Sequence, residues 1–178
     1  MKRIFLFTVL ITLIFQSAKS QESSMSNFVY PKTLVRLHLF VPGILLEQNI
    51  KDNSTIIFDL GTGVLYQYTK INGVSESNLY FNPYLRIEPR IYTSYNKRKL
   101  LGKRTDNYSS QFFGFQVKIG FPTSQLEAWQ SFGPLWGFQR TLGKKGYWNI
   151  GLGLGVTIYN GETVFGEIGD FGIGFILN

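Results

Sequence analysis

The segment from Tyr147 to Asn178 constrains the fold of this chain more than any other. In a β-strand, successive side chains point to opposite faces, so a period of two places every large residue on one face. Large apolar residues alternate here with glycine and small polar residues, in two runs separated by Gly161. The large residues are Trp148, Ile150, Leu152, Leu154, Val156 and Ile158 in the first run, and Phe171, Ile173, Phe175 and Leu177 in the second. The pattern predicts two strands, each with one apolar and one glycine-rich face.

The same alternation recurs through the rest of the chain. It covers residues 34–41, 44–50, 55–68, 79–95, 113–121 and 135–142. No segment after the N-terminal region has a helical period of useful length, although the connection 96–109 has room for a helical turn. The sequence therefore predicts an all-β fold.

Prolines interrupt two of these segments. Pro42-Gly43 suits the centre of a type II turn between two strands, and it equally suits a bulge within one long bent strand. The sequence does not separate these two interpretations. Pro83 and Pro89 lie on an apolar strand face, and because proline cannot donate to a sheet ladder we expect bulges or kinks there.

The first twenty residues have the features of a secretory signal peptide. Lys2 and Arg3 precede an apolar run from Ile4 to Phe15, and Ala18-Lys19-Ser20 forms a small-x-small cleavage site. The apolar run is shorter than the roughly 20 residues that span a bilayer. The predicted organisation is a signal peptide at 1–20, a disordered mature N-terminus at 21–32 and an outer-membrane β-barrel at 33–178.

Charge and cysteine content narrow the classes of function. The chain has 18 basic and 11 acidic residues; loss of the signal peptide removes three of the basic ones, which leaves a net charge of +4. The clearest basic cluster runs from Lys97-Arg98-Lys99 to Lys103-Arg104, and no nucleic-acid-binding motif accompanies it, so we expect no nucleic-acid partner. A solvated turn or a contact with anionic lipid headgroups accounts for this cluster better. Without cysteine the chain has no disulfide, no lipid-attached cysteine and no cysteine metal site.

The composition of the polar strand face indicates that this face points inward. In a soluble barrel that face would be outside and rich in Lys, Glu, Thr and Ser, whereas in a small membrane barrel it lines a narrow interior where charges must pair. The observed face is rich in glycine and nearly balanced in charge. Its predicted interior charge network consists of Arg36, Asp59, Arg86, Glu88, Arg90, Lys118 and Asp170, and Glu47 joins it if the parity shifts at Gly43.

Aromatic residues near the predicted strand ends lie on the apolar face. Tyrosine and tryptophan favour the membrane interface, where the ring is in an apolar environment and the polar tip stays hydrated. Phe81 and Tyr95 share this face, and the predicted interface aromatics are Tyr66, Tyr68, Trp136 and Trp148.

The last predicted strand resembles the C-terminal insertion signal of outer-membrane proteins. The matching residues are Asp170, Gly172, Phe175 and Leu177, and the chain departs from the usual pattern by ending with Asn178. The resemblance implies recognition by the barrel-assembly machinery. More widely, the segments from Tyr80 to Lys97, Gly133 to Arg140 and Ile168 to Phe175 are similar to small outer-membrane β-barrel proteins of the Bacteroidota. That similarity implies a fold and a membrane, and no substrate.

The sequence offers little chemistry for catalysis. His38 is the only histidine and the one weak catalytic candidate, with Arg36 on the same face and Glu88 or Glu47 as its expected neighbours. The glycines of the strands do not form a phosphate-binding loop, since no helix follows them. We expect no metal and no cofactor.

The sequence thus predicts a closed antiparallel up-and-down transmembrane β-barrel of about eight strands, seven of them well marked. It would be a monomeric, non-enzymatic component of the outer membrane with a side-chain-filled interior and a structural or surface-interaction role in the cell envelope. One alternative is a soluble periplasmic or secreted lipocalin-like barrel that binds an apolar ligand. Another is a lipid-A-modifying barrel enzyme that uses His38.

Overall fold

A computed structural model describes residues 32–39, 42–51, 53–71 and 74–177, with the side chains of residues 65–76 excepted. The predicted signal peptide, the predicted N-terminal segment up to residue 31 and Asn178 lie outside the described residues.

Eight β-strands make up most of the described chain. They are β1 (Thr33–His38), β2 (Gly43–Lys51), β3 (Ser54–Ile71), β4 (Val74–Ile91), β5 (Gln111–Gly120), β6 (Trp129–Leu142), β7 (Gly146–Tyr159) and β8 (Glu162–Ile176). The β4–β5 connection contains a short helix, α1 (Tyr95–Leu100), and a 3-10 turn at Asp106–Tyr108. The prediction of an all-β fold is confirmed, and the connection that had room for a helical turn contains one.

The eight strands form one antiparallel, ring-like sheet in chain order. Each strand pairs with the next, and β1 also pairs with β8 through Arg36 with Ile176, Leu37 with Phe175 and His38 with Gly174. Gly174 permits this close approach, because a Cβ at its position would overlap the Leu37 carbonyl oxygen. Each strand is therefore flanked by its chain neighbours, and one face of the sheet is turned inward.

The chain reverses direction between His38 and Gly43, so the choice between two strands and one bent strand is settled in favour of two, although Gly43 is the first residue of β2 and not the centre of a turn. β1 ends at His38, β2 begins at Gly43, and these two residues pair with each other. The turn shifts the side-chain parity, so that Leu45 and Glu47 are buried while Ile44 and Leu46 are exposed.

The prolines of β4 do not produce bulges, which corrects that part of the sequence prediction. Pro83 pairs with Thr62, and Pro89 with Ile56, in an unbroken register with β3. On the other side, the pairing of β4 with β5 skips Glu88 and Pro89 and resumes in the same register. Because proline only lacks a donor, the ladder omits a hydrogen bond there without inserting a residue.

Several strands extend further than their alternation indicated. In the hairpin of β3 and β4, β3 continues to Ile71 and β4 starts at Val74. β6 begins at Trp129 instead of residue 135. The C-terminal end of β4, by contrast, comes earlier than predicted: the strand ends at Ile91, before the helix that starts at Tyr95. Backbone pairing thus continues where the hydrophobic alternation has stopped.

The two faces of the ring differ sharply in composition. On the outward face, Leu60 and Phe81 are each 58% exposed, Phe171 is 64% exposed and Leu152 is 66% exposed. The inward face buries charged and polar side chains together with one small hydrophobic cluster. That cluster consists of Leu34, Tyr92, Tyr95, Tyr108, Phe112, Leu135, Tyr147 and Ile176.

Candidate functional site

Buried charges occupy the inside of the ring. Four cations (Arg36, Arg86, Arg90 and Lys118) and four carboxylates (Glu47, Asp59, Glu88 and Asp170) point inward from six different strands. They include all seven residues of the predicted network, together with the conditional candidate Glu47. Because an isolated charge costs several kcal/mol to bury, their arrangement is decided by pairing.

The first group of contacts, the Glu47 cluster, links β1 and β2 to the β4–β5 connection. An Arg36 Nη1 lies 2.6 Å from the Glu47 carboxylate, and both side chains are fully buried. The hydroxyl of Tyr92 donates to the same carboxylate at 2.5 Å and that of Thr55 at 2.7 Å. Gln139 donates to its second oxygen at 3.3 Å, so the charge of Glu47 is surrounded by donors.

The second group, the Arg86 cluster, brings three acidic residues around one guanidinium. Arg86 lies 2.5 Å from Asp170, 2.7 Å from Asp59 and 3.4 Å from Glu88. Asn149 also donates to Asp170 at 2.5 Å. Three strands are thereby joined by one side chain.

Arg90 connects the two clusters. Its Nε lies 2.5 Å from Glu88, and its Nη1 donates at 3.0 Å to the side-chain oxygen of Gln139, the residue that also contacts Glu47. The guanidinium lies 3.8 Å from the centre of the Phe112 ring. Contact with an aromatic face is a favourable environment for a buried guanidinium.

Lys118 differs from the three arginines. Its ammonium lies 4.0 Å from the centre of the Tyr84 ring and 5.8 Å from that of Trp129. Periodicity placed Lys118 on the inward face but gave no sign that its ammonium would lie over an aromatic ring.

His38 lies between two buried side chains. Its Nε2 is 3.1 Å from Asp59, and its Nδ1 is 3.0 Å from the hydroxyl of Tyr147. The expected neighbours Glu47 and Glu88 are instead held by Arg36 and Arg90. A carboxylate on one ring nitrogen and a hydroxyl on the other is an arrangement in which a histidine can act as a general base towards that hydroxyl. Here the hydroxyl belongs to Tyr147, which is 1% exposed, so a substrate has no access to it in this arrangement.

The β4–β5 connection folds against the inward face, which the sequence did not reveal. The backbone carbonyl of Asn107 accepts hydrogen bonds from Arg36 at 3.3 Å and from Gln139 at 3.0 Å. Tyr108 stacks on Tyr92 with ring centres 4.9 Å apart and accepts a hydrogen bond from Asn49 at 2.6 Å. The available signal was compositional: three tyrosines, at 92, 95 and 108, in or beside an otherwise polar connection.

Tyr95 corrects one sequence expectation. Its parity with the apolar face of a long strand placed it near the membrane interface, but it is 3% exposed and packs near Tyr108. The period of two does not apply to it because the strand has ended and Tyr95 begins α1.

The predicted interface aromatics fall in different places. The side chains of Tyr66 and Tyr68 lie outside the described residues. Trp148 is half-buried at the third residue of β7. Trp136 is 41% exposed and lies in the middle of β6 instead of at a strand end, because β6 starts earlier than predicted.

The predicted insertion signal spans both faces of β8. Asp170 and Gly172 face inward, where Asp170 contacts Arg86 and Gly172 approaches Asn149 and His38. Phe175 and Leu177 are each 51% exposed on the outward face. The same segment that resembles a targeting signal therefore also supplies a carboxylate to the interior.

Trp129, the first residue of β6, turns towards the interior where β5 ends. Its indole donates at 2.8 Å to Asn82, and Gly120 leaves the space that the indole occupies. The predicted strand segments did not include this tryptophan, because no alternation marks the start of β6.

Comparisons with known proteins add no further assignment. No family model matches the chain, and searches of curated proteins and of solved structures find no significant match. Within the described residues, no helix has the length and apolar character to cross a membrane. In the same part of the chain, no group of three or more His, Cys, Asp or Glu residues is placed to hold a metal ion.

The pairing of Arg36 with Glu47 generates a test of the network. Arg36→Met leaves the buried Glu47 carboxylate without its cation, and Glu47→Gln leaves the buried Arg36 guanidinium without its anion. Each substitution is therefore expected to lower the free energy of unfolding by about 3–5 kcal/mol. The double variant should cost less than the sum of the two, since no unpaired charge remains. Urea unfolding of the three variants in detergent micelles measures this.

Asp106→Asn is the control, because Asp106 forms an ion pair with Arg104 in which both side chains are more than 40% exposed. An exposed pair is screened by water and salt, and the urea midpoint should hardly move. Additive costs for Arg36→Met and Glu47→Gln would contradict the role given to their contact.

Proposed function

We propose that this chain is an integral outer-membrane β-barrel, closed by the pairing of β1 with β8 and filled by its own side chains. Its role is structural or that of a surface-interaction protein in the cell envelope, without catalysis. The observation that carries the proposal is the inversion of the usual arrangement: seven of the eight interior charges form ion pairs inside the ring, while large apolar side chains cover the outside.

The outward face supports contact with lipid. A soluble protein seldom exposes a contiguous apolar surface larger than a few hundred Å². In this chain, outward leucine, isoleucine, valine and phenylalanine side chains from all eight strands are exposed. Lipid tails are the environment in which such a face has no cost, provided that all backbone groups pair within a closed sheet.

The inward face argues against the alternative of a soluble barrel that binds an apolar ligand. Such a site requires a cavity lined mainly by apolar side chains. Here the middle of the interior contains Arg86, Arg90 and their carboxylate partners, all in direct contact. A filled interior also supports a barrel that is not an open pore.

Outer-membrane lipid and, during insertion, the barrel-assembly machinery are the partners that this proposal implies. The chain is proposed to act as a monomer, since each strand of a closed barrel pairs within its own chain. The enzyme alternative has little support, because Tyr147, whose hydroxyl contacts His38, is 1% exposed and leaves a substrate no access to the pair.

Cell fractionation tests the location. The protein should be recovered with outer membranes, require detergent for extraction, and migrate differently on a gel before and after boiling, as folded membrane barrels do. Recovery as a soluble periplasmic protein without detergent would contradict the proposal.

A pair of arginine substitutions tests what the outward face meets. Leu152 is 66% exposed in the middle of β7, and Leu142 is 45% exposed at the end of β6. In a bilayer, Leu152→Arg should cost about 2–4 kcal/mol of folding free energy and Leu142→Arg about 0–1 kcal/mol, because the cost of a charge falls with distance from the midplane.

The measurement is urea-dependent folding into phospholipid vesicles, with the wild-type chain as reference. On a water-exposed surface both arginines would be tolerated equally. Equal midpoints for the two variants and the wild type would therefore contradict a lipid-facing β7.

A further inference from the structure

Cations that lie outside the interior gather at one end of the ring. This end, called the basic end below, contains the N-terminus of β1, the β2–β3 and β6–β7 turns and the β4–β5 connection. Its cationic residues are Lys32, Lys51, Lys97, Arg98, Lys99, Lys103, Arg104, Arg140, Lys144 and Lys145. Every lysine or arginine with a described side chain therefore lies either in the interior or at the basic end.

Acidic side chains have the opposite distribution. At the basic end, Asp106 is the single acidic residue with a described side chain, and it is paired with Arg104. Towards the opposite end, the described and exposed charges are Glu127, Glu162 and Glu167. Among the described side chains outside the interior, positive charge is thus concentrated at one end, which the linear sequence shows only in part.

The fold holds two basic segments next to each other. Arg104 donates to the carbonyl of Gly143, which ties the β4–β5 connection to the turn that carries Lys144 and Lys145. Arg98 in turn donates to the carbonyl of Arg104 at 3.0 Å. The hydrogen bonds to Asp106 raise the pKa of Arg104 further above a range that already keeps an arginine charged at physiological pH.

Exposed leucines accompany these cations. Leu100 and Leu101, at the end of α1, are 62% and 60% exposed, with Lys97 and Lys103 on either side in the sequence. Exposed apolar side chains beside lysines are typical of segments that lie at a membrane interface, where the chains enter the headgroup region and the ammonium groups contact phosphates.

We propose that the basic end binds the phosphate-bearing headgroups of anionic phospholipids in the leaflet that it adjoins. This inference rests on the proposed function, because only a wall embedded in lipid brings this end to the level of the headgroups. Anionic lipid attracts surface lysines and arginines, and the attraction weakens as salt screens it. The basic end would therefore select its lipid neighbours and fix the depth of the barrel.

Spin-labelled lipids provide a direct test. The protein is reconstituted in phosphatidylcholine with a trace of spin-labelled phosphatidylglycerol or spin-labelled phosphatidylcholine, and the motionally restricted fraction gives the relative association constant of the two. The wild-type chain should prefer phosphatidylglycerol by about tenfold at low salt, less at high salt. Replacing Lys97, Lys103, Lys144 and Lys145 by Gln removes four of the ten cations of the basic end and should lower the preference by about twofold or more.

The matched control removes charge at the opposite end, with Glu127→Gln, Glu162→Gln and Glu167→Gln in one chain, and should keep the wild-type preference. Equal association of both lipids with the wild-type chain, or an unchanged preference in the lysine variant, would overturn the inference. If inorganic phosphate removed the preference for phosphatidylglycerol while chloride of equal ionic strength did not, the basic end would be a site for free anions. That result would also overturn the inference.

Gel mobility before and after boiling is recorded for every reconstituted sample. Samples that show folded barrel without lipid preference reject the basic-end inference alone. Failure of the wild-type chain to insert in either lipid rejects the proposed function.

Discussion

The burial of four cations and four carboxylates inside one ring of strands is the constraint on which the rest of this structure depends. Unpaired, each of these charges would cost several kcal/mol. Arg86 contacts Asp59 and Asp170, Arg90 contacts Glu88, and Arg36 contacts Glu47, so the strands must meet in one register for all pairs to form. Most of the large aliphatic side chains are correspondingly found outside, and the β4–β5 connection contributes the Asn107 carbonyl to the same network. The requirement to pair buried charges thus links the strand register, the outward apolar face and the β4–β5 connection.

Much of the fold follows from the sequence, because a period of two in hydrophobicity is a local signal. It predicted the all-β class, and it placed Arg36, Arg86 and Asp170 on one face before any contact was known. Strand ends were harder to predict: β6 begins at Trp129, where alternation is absent but backbone pairing continues. Pairing choices were harder still, since parity indicates a face and not a partner. That Lys118 lies on Tyr84, or His38 between Asp59 and Tyr147, depends on strand register.

Connections carry the features that periodicity cannot show. Tyr95 kept the parity of a strand but lies in a helix, and Tyr108 lies in a polar segment yet is fully buried. Asn107 and Tyr108 have left-handed backbone angles, with φ of 51° and 59°, that turn the chain back towards the interior. Such conformations are set by tertiary contacts that the linear sequence does not show. The gathering of cations at one end is likewise a property of topology, because it combines the β4–β5 connection with the distant turn at Lys144 and Lys145.

The central claim is that lipid covers the outward face, and nitroxide accessibility measures this most directly. The chain has no native cysteine, so single cysteines can be introduced on β5 at Phe113, Phe115 and Val117, with loop controls at the exposed residues Ser124 and Gln125. In reconstituted bilayers, labels on β5 should collide more often with oxygen, which dissolves in lipid, than with a water-soluble nickel complex, and the loop labels should show the reverse. Labels on β5 that favour the nickel complex as strongly as the loop labels do would show that this face meets water, and would contradict the account.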